Sequence, residues 1–163
     1  MAAIVEAGAE AGRGVVRRAT TRDVAAFQRL VHGYAERGLM LPRSLSHLYE
    51  NVRDLFVAEE GEEIVGGCSL HVSWKDLAEI RSLAVAETHQ GRGYASRLVR
   101  ACIEDAAGVG IDRVFALTYV PGFFERMGFV RIDKALLPRK VWTECVYCPK
   151  FHGCTEVAVI IDC

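Results

Sequence analysis

The segment QGRGYAS, residues 90–96, lies between an apolar run that ends at Val85 and a helix-like stretch that begins near Tyr94. The first amides of a helix have no partner within the helix, and the positive end of the helix dipole lies beside them. Glycines let the oxygens of a bound ligand approach these amides closely. The segment therefore predicts a strand, a phosphate-binding loop and a helix in succession, against the simpler interpretation of an ordinary glycine turn.

Two well-known phosphate-binding loops do not match this segment. A nucleotide P-loop needs a lysine followed by serine or threonine at the helix start, and a dinucleotide loop needs a third glycine where Ser96 stands. Gln90, Gly93 and Ala95 instead match Q/R-x-x-G-x-G/A, the pyrophosphate-binding pattern of the GNAT superfamily of acetyl-coenzyme A-dependent N-acetyltransferases. The chain resembles this superfamily.

The rest of the chain alternates between strand-like and helix-like segments. Strands are predicted at 15–19, 77–85, 113–118 and 155–162, and a hairpin at 55–73 with Gly61 at its turn. A first helix is predicted after Thr20 or Thr21, and a second after Ser44 or Ser46, because these hydroxyls can cap a helix. Strands interrupted by helices indicate an α/β or α+β sheet domain.

The resemblance covers residues 14–162 and implies the GNAT fold. That fold has a mixed, mostly antiparallel central sheet flanked by helices, with the fourth and fifth strands splayed apart. Residues 77–85 resemble the fourth strand, and 113–132 resemble the fifth strand, the fourth helix and the sixth strand. FFERMGF, at 123–129, matches the family's recurrent aromatic-x-x-x-Gly-Phe.

Composition limits the setting in which such a domain works. The 163 residues are 51% hydrophobic, which suffices for the core of one domain, predicted at 14–163 after a flexible tail at 1–13. The net charge of -1 gives no reason to expect a nucleic-acid or membrane partner. No apolar run approaches the roughly 20 residues that span a bilayer, and the first residues do not resemble a secretion signal. We therefore expect a cytoplasmic protein.

A narrower resemblance concerns the short, single-domain N-acetylglutamate synthases of bacteria. It depends on four stretches: LPRS at 41–44, EIRSLAV at 79–85, FALTYVPGFFERMGF at 115–129 and LPRKVWTECVYCPKFHGCTEVA at 137–158. It implies acetyl transfer from acetyl-coenzyme A to the α-amine of L-glutamate, the first step of arginine biosynthesis, with L-glutamine as a possible acceptor. It also makes a homodimer plausible.

The superfamily resemblance implies a cofactor site in two parts. Backbone groups near the end of the fourth strand would pair with the pantetheine arm, and the loop that follows would bind the pyrophosphate. The predicted cofactor residues are Leu83, Ala84, Val85, Gln90, Gly91, Arg92, Gly93, Tyr94, Ala95, Ser96, Phe123 and Phe124.

Acetyl transfer needs a base for the amine and donors for the developing oxyanion. The backbone N–H of Val85 is the predicted oxyanion donor, because a splayed strand would leave it facing the thioester. Glu79 is the candidate base, acting directly or through water, since strand alternation places it on the same face as Arg81. The alternative is that Glu79 only forms an ion pair with Arg81.

This chain departs from the superfamily at the residue that protonates the leaving thiolate. Many relatives have a tyrosine four residues before the glycine of the last motif, where this chain has Phe124, which has no proton to donate. Tyr119 is the nearest alternative hydroxyl. Unassisted departure of the thiolate is also reasonable, because thiols titrate near about 8.5.

The carboxylates of an amino-acid acceptor require cations. Arg43, Arg81 and Lys140 each lie within a family-like stretch, and Ser44 adjoins the first of them. Arg81 is the strongest candidate, because its strand neighbours include Leu83 and an unpaired charge among such residues is costly. The alternative for each cation is a solvated surface charge.

Four residues near the C-terminus have the side chains of a zinc site. Cys145, Cys148, His152 and Cys154 start with a CxxC spacing, but the gap between the ligand pairs is shorter than is usual for zinc. We expect no metal and prefer a tight turn with small buried thiols, with a structural zinc as the alternative.

Two other functions are compatible with the sequence. The same fold can acetylate another amine, such as a drug, a polyamine or a protein terminus. The chain can also be a non-catalytic module in which the loop binds coenzyme A only as a ligand, an interpretation that Phe124 in place of tyrosine favours.

Overall fold

Seven strands form one sheet in the computed structural model, which describes residues 14–138, 145–148 and 150–163. In chain order the strands are β1 (Val15–Arg18), β2 (Leu55–Glu60), β3 (Glu63–Trp74), β4 (Leu77–Val85), β5 (Arg113–Thr118), β6 (Val130–Ile132) and β7 (Val157–Asp162). Their order across the sheet is β1-β2-β3-β4-β5-β7-β6, and only β4 and β5 pair in parallel. The predicted tail at 1–13 lies outside the described residues.

Helices cover both faces of the sheet. They are α1 (Val24–Glu36), α2 (Leu45–Glu50), α3 (Tyr94–Gly108) and α4 (Pro121–Arg126). On one face α3 contributes Leu98 and Val99 to the main core, and on the other face α1 packs through Phe27 and Val31. In the part of the chain that the structure describes, no helix is both long and apolar enough to cross a membrane.

The cap of α2 was predicted correctly and the cap of α1 was not. The Ser44 hydroxyl accepts from the backbone N–H of His47 at 3.1 Å, as an N-cap does. In α1 the N-cap is Asp23 rather than a threonine. The Asp23 carboxylate accepts from Arg17 and from Thr20, which holds the chain in a turn before the helix begins. The Thr20 hydroxyl is engaged in that turn, and so the helix starts later than the capping pattern indicates.

A β-bulge interrupts β4 on its β3 side. The residue opposite Ala84 is Gly67, and the residue opposite Arg81 is Ser69, so β4 has one residue more than β3 between these pairs. Ser82, within the bulge, has a φ of 53°, a left-handed conformation that is uncommon for a residue with a side chain. Bulges of this kind redirect the side chains that follow them.

The bulge reverses the alternation of faces along β4. Before it, Ile80 faces the core under α3, and after it Leu83 and Val85 face the same core. Ala84 instead belongs to the core under α1, on the face that also presents Arg81. Leu83, which the sequence analysis took as a strand neighbour of Arg81, therefore does not share its face, because the extra residue turns Leu83 to the opposite side.

The predicted splay between β4 and β5 is present. The two strands pair only over Leu77–Arg113, Ala78–Val114 and Glu79–Phe115. Beyond this point β4 continues to Val85, while β5 continues along β7 through six pairs. The predicted fold class, a mixed and mostly antiparallel sheet flanked by helices and open between its fourth and fifth strands, is confirmed.

The close approach of α1 to β3 makes Gly67 a test of the packing. A Cβ at this position would lie 2.6 Å from the Phe27 ring and 2.9 Å from the Phe56 carbonyl oxygen. We expect Gly67→Ala to lower the free energy of unfolding by about 1–3 kcal/mol, the range for overpacked cores. Urea denaturation measures this change.

Gly33, inside α1, is the matched control. A Cβ there meets no atom within 4 Å, so Gly33→Ala should raise the free energy of unfolding by about 0.5–1 kcal/mol through helix propensity alone. A Gly67→Ala variant as stable as Gly33→Ala would contradict the described packing of α1 on the sheet.

Candidate active site

The predicted phosphate loop connects β4 to α3 in the structure. Gly91 and Gly93 have φ angles of 75° and 77°, which glycine adopts without the steric cost that other residues incur. Gly93 is the N-cap of α3, so the unpaired amides of the helix begin beside it. A Cβ on Gly93 would meet no protein atom within 4 Å. The backbone at this helix start is therefore open to a ligand.

A small pocket joins this loop to the end of β4. It is lined by Val85, His89, Gln90, Gly91, Gly93, Tyr94 and Ala95. All of these except His89 belong to the predicted cofactor set. The sequence analysis missed His89 because it precedes the glycine motif, yet the short turn after β4 brings it into the pocket.

The carboxylate of Glu60 lies beside the loop. The Tyr94 hydroxyl donates to Glu60 at 2.6 Å, and burial, more than this bond, raises the tyrosine pKa. His89 Nε2 and Arg92 NH1 each lie 3.5 Å from the same carboxylate. Arg92 is predicted to contact the cofactor, and Glu60 holds it at the edge of the pocket.

Three more of the predicted cofactor residues lie in the core under α3. Phe123 and Phe124 are buried in α4 with their ring centroids 5.0 Å apart, and Leu83 faces the same core. Phe124 also contacts Phe129 edge to face, at 5.1 Å between centroids. This packing accounts for an aromatic ring without a hydroxyl at that position. Ser96 lies half-buried in the first turn of α3.

The backbone at the end of β4 is oriented by its pairing with β3. The N–H of Ala86 donates to the Val65 carbonyl at 2.8 Å, and Ala84 lies opposite Gly67. Antiparallel strands exchange bonds at alternate residues, so the N–H of Val85 points away from β3. It therefore points toward the gap between β4 and β5, the position expected for an oxyanion donor.

A second cleft brings two of the predicted acceptor-binding residues together. It is lined by Arg43, His47, Leu48, Asn51, Asp54, Leu55, Ser69, His71, Arg81 and Ser82. Arg43 precedes α2 and Arg81 lies in β4, so the fold joins cations that are far apart in sequence. Ser44 is occupied in capping α2. Lys140 lies outside the described residues.

The sequence analysis missed the polar lining of this cleft. Ser69 and His71 lie opposite Arg81 and Glu79 in the β3–β4 register, so their side chains share one face of the sheet. His71 Nδ1 lies 3.6 Å from the carboxylate of Asp54. Cross-strand register is the signal that identifies these residues, and a second register shift, between Val72 and Trp74, conceals it in the sequence.

The ion pair between Glu79 and Arg81 is present. Arg81 Nε donates to Glu79 Oε2 at 2.5 Å, and the two side chains are only 13% and 10% exposed for Arg81 and Glu79 respectively. Removing one member of a buried ion pair leaves the other charge buried without a partner, which is strongly destabilising. Glu79 is thus held by Arg81, which lines the cleft, and its role as a base stays a prediction.

Tyr119 follows β5 at the end where the two central strands have separated. Burial raises the pKa of its hydroxyl, and the neighbouring Glu156 and Cys154 raise it further. The hydroxyl therefore keeps its proton at neutral pH. Lys150 Nζ lies 5.6 Å from the Tyr119 ring centroid and donates to the Gly38 carbonyl at 2.5 Å. A proton donor is thus placed at this end of β5, and its role as the acid stays a prediction.

In the described parts of the cysteine segment, 145–148 and 150–154, the cysteine and histidine side chains do not form a set of metal ligands. Cys145, Cys148 and Cys154 are half-buried and His152 is exposed. Within 14–138, 145–148 and 150–163, no group of three His, Cys, Asp or Glu side chains has the geometry to hold a metal ion. Burial raises the pKa of the Cys145 thiol to about 11, which favours a neutral thiol over a metal-binding thiolate.

We accordingly expect the purified protein to contain no stoichiometric zinc. Its melting temperature should stay unchanged in a chelator, because no ligand set is lost on chelation. Elemental analysis and thermal melts with and without chelator measure both quantities. One zinc ion per chain, with a lower melting temperature after its removal, would support the zinc alternative instead.

Comparison with known proteins identifies the family. The acetyltransferase (GNAT) family model matches residues 24–129. An uncharacterized N-acetyltransferase of Chlorobaculum tepidum is 40% identical over 145 residues, which are 89% of this chain and 94% of that protein. An amino-acid acetyltransferase of Mycobacterium tuberculosis is 39% identical over 135 residues, 81% of this chain and 77% of that protein.

A solved structure with the same fold contains a cofactor and a product. It is N-acetylglutamate synthase from Neisseria gonorrhoeae complexed with coenzyme A and N-acetyl-glutamate, with a TM-score of 0.84 and 26% identity. The match covers 94% of this chain and 36% of that one. With the family model matching more than half of the residues, and with the splayed sheet and glycine loop in place, the chain belongs to the GNAT family of acetyltransferases.

Proposed function

We propose that this protein transfers the acetyl group of acetyl-coenzyme A to the α-amine of L-glutamate, with L-glutamine as the alternative acceptor. The observation that carries the proposal is the cleft that joins Arg43 and Arg81 beside the splay of the sheet. The names of the Mycobacterium tuberculosis relative and of the Neisseria gonorrhoeae structure support an amino-acid acceptor. The reaction would open arginine biosynthesis, in the cytoplasm, and the enzyme would be a homodimer.

The donor would bind along the end of β4 and the loop after it. The loop amides around Gly91 and Gly93 face an open pocket at the positive end of α3, which suits a pyrophosphate. The split between the central strands leaves backbone groups for the pantetheine arm. The acetyl carbonyl would then lie beside the N–H of Val85, which would donate to the oxyanion as it forms.

The acceptor would bind in the cleft with its carboxylates on Arg43 and Arg81. The planar guanidinium group of arginine binds a carboxylate through two parallel hydrogen bonds. Predicted as a third cation, Lys140 would complete this set, with Ser44 at its edge. Charge complementarity would select a dicarboxylate over a diamine, because a second ammonium group would be repelled.

The chemical steps would take place in a ternary complex without a covalent acyl-enzyme. Glu79, directly or through water, would accept the proton of the acceptor ammonium, and the free amine would attack the acetyl carbonyl. The nitrogen would then lose its second proton to water, the C–S bond would break, and coenzyme A would leave as a thiolate. Tyr119 would protonate this thiolate and regain a proton from water. Proximity contributes much of the rate, since effective molarities are worth about 7–11 kcal/mol in favourable cases.

Replacing Gly93 tests the donor site. Gly93→Ala places a methyl group in the open space at the helix start and keeps a φ of 77° that disfavours a side chain. We expect the dissociation constant of coenzyme A to rise about tenfold or more, equivalent to about 1.4 kcal/mol. Isothermal titration calorimetry measures it.

Gly110→Ala is the matched control for backbone strain. Gly110 follows α3 with a φ of 84°, and a Cβ there also meets no atom within 4 Å. The two variants should lose similar stability, but only Gly93→Ala should lose cofactor affinity. Equal affinity in both variants would remove the loop from the donor site.

Replacing Arg81 tests the acceptor site. Arg81→Gln should lower kcat/KM for glutamate about a hundredfold or more, because truncating one member of a buried charge pair costs about 2–5 kcal/mol. Arg81→Lys should restore little, since an ammonium cannot form the same paired bonds. Coenzyme A affinity should persist in both variants. Thiol release with glutamate, glutamine, lysine and spermidine measures turnover.

The control for this experiment is Arg113→Gln. Arg113 also lies in a central strand and forms an ion pair, with Asp76 at 2.8 Å, but it is remote from the cleft. Thermal melts separate lost folding from lost binding, since Arg81 also holds Glu79. Wild-type preference for lysine or spermidine, or full activity of a folded Arg81→Gln variant on glutamate, would replace this proposal with acetylation of another amine.

A further inference from the structure

The carbonyl of Val85 is held by two side chains from different parts of the chain. Tyr34, in the last turn of α1, donates its hydroxyl hydrogen to this carbonyl at 2.5 Å. Gln90, the first residue of the phosphate loop, donates from Nε2 to the Tyr34 hydroxyl at 2.8 Å and lies 3.4 Å from the same carbonyl. One helix, one strand end and one loop thus meet at a single peptide group.

The other side of that peptide group is also fixed. The carbonyl of Val85 and the N–H of Ala86 belong to the same planar unit, and that N–H donates to Val65 on β3 at 2.8 Å. Both polar atoms of the unit therefore have partners. Because N–H and C=O of one strand residue point to the same side, Tyr34 and Gln90 approach β4 from the side toward which the Val85 N–H points.

Tyr34 is suited to a fixed donor role. It is 4% exposed, and burial raises its pKa, so its hydroxyl stays protonated at neutral pH. The Arg37 guanidinium lies 4.7 Å from the Tyr34 ring centroid, and Arg37 also pairs with Glu87 in the turn after β4. The end of α1 is therefore attached to the β4–loop junction by a second, independent contact.

We infer that Tyr34 and Gln90 are positioning residues, which hold the end of β4 so that the Val85 N–H meets the acetyl carbonyl. The inference rests on the proposed acetyl transfer. Gln90 would have two functions, since its backbone begins the pyrophosphate loop while its side chain holds Tyr34.

Tyr34→Phe removes only the hydroxyl and keeps the buried ring. We expect kcat to fall about tenfold, the change that corresponds to one lost buried hydrogen bond, while the coenzyme A dissociation constant stays within about twofold. Gln90→Met keeps the loop backbone but removes the bond to Tyr34, so kcat should fall by a similar factor. The double variant should be no slower than the slower single variant, since both substitutions break one unit.

Two further measurements separate positioning from general stability. Tyr49→Phe, on the exposed surface of α2, should leave kcat and melting temperature unchanged. Amide hydrogen exchange at Ala86 should be faster in Tyr34→Phe than in the wild type or in Tyr49→Phe. The reason is that the Val85–Ala86 peptide group loses its hydrogen bond from Tyr34.

Wild-type kcat in Tyr34→Phe, a rise in the coenzyme A dissociation constant equal to the loss of kcat, or additive effects in the double variant would each overturn the inference. Tyr34 and Gln90 act on the residue that contacts the thioester, not on the acceptor. The ratio of variant to wild-type kcat should therefore be the same with any amine that the wild type acetylates. A wild type that acetylates lysine but not glutamate would therefore contradict the proposed substrate while this test still runs with lysine.

Discussion

One extra residue in β4 determines how the two sides of the site are built. A regular strand would place Arg81 on the same face as Leu83 and Val85, so either the charge would enter the core or the apolar residues would leave it. Because of the bulge at Ser82, Arg81 faces the cleft while Leu83 and Val85 face the core under α3. The left-handed backbone of a serine costs about 1–2 kcal/mol, and such strain is typical of functional sites.

The split between β4 and β5 depends on how each strand is held on its other side. β4 remains paired with β3 as far as Val85, and β5 pairs with β7 along its whole length. Neither strand needs the other beyond Glu79, so the gap can persist without loss of the sheet. It leaves one edge of β4 without a neighbouring strand where the phosphate loop begins, and this edge adjoins the start of α3.

The sequence predicted the fold class and most local features, and it did not predict several contacts between separate elements. The glycine loop, the Ser44 cap and the Gly61 hairpin each depend on a few adjacent residues, and the structure contains all three. The Asp23 cap depends on Arg17 as well as on Thr20, which is a contact between separate elements. The bulge has no signal in the residue pattern, since serine rarely adopts a positive φ. The Tyr34–Gln90 bond joins residues 56 positions apart, beyond the range of any motif.

The difference between local features and contacts across the fold also explains why the fold indicates the identity of the acetyl donor more directly than that of the acceptor. The proposed donor site consists mainly of backbone groups in one short segment, so it is retained wherever the glycines, the helix start and the split are kept. The proposed acceptor cleft is lined by side chains from the end of the loop before α2, from α2 itself, and from β3 and β4, including Arg43, His71 and Arg81. A single substitution in any of these elements changes its charge while the backbone of the donor site stays the same. Membership of the family therefore constrains the acetyl donor strongly, and the identity of the acceptor depends on which cations the cleft presents.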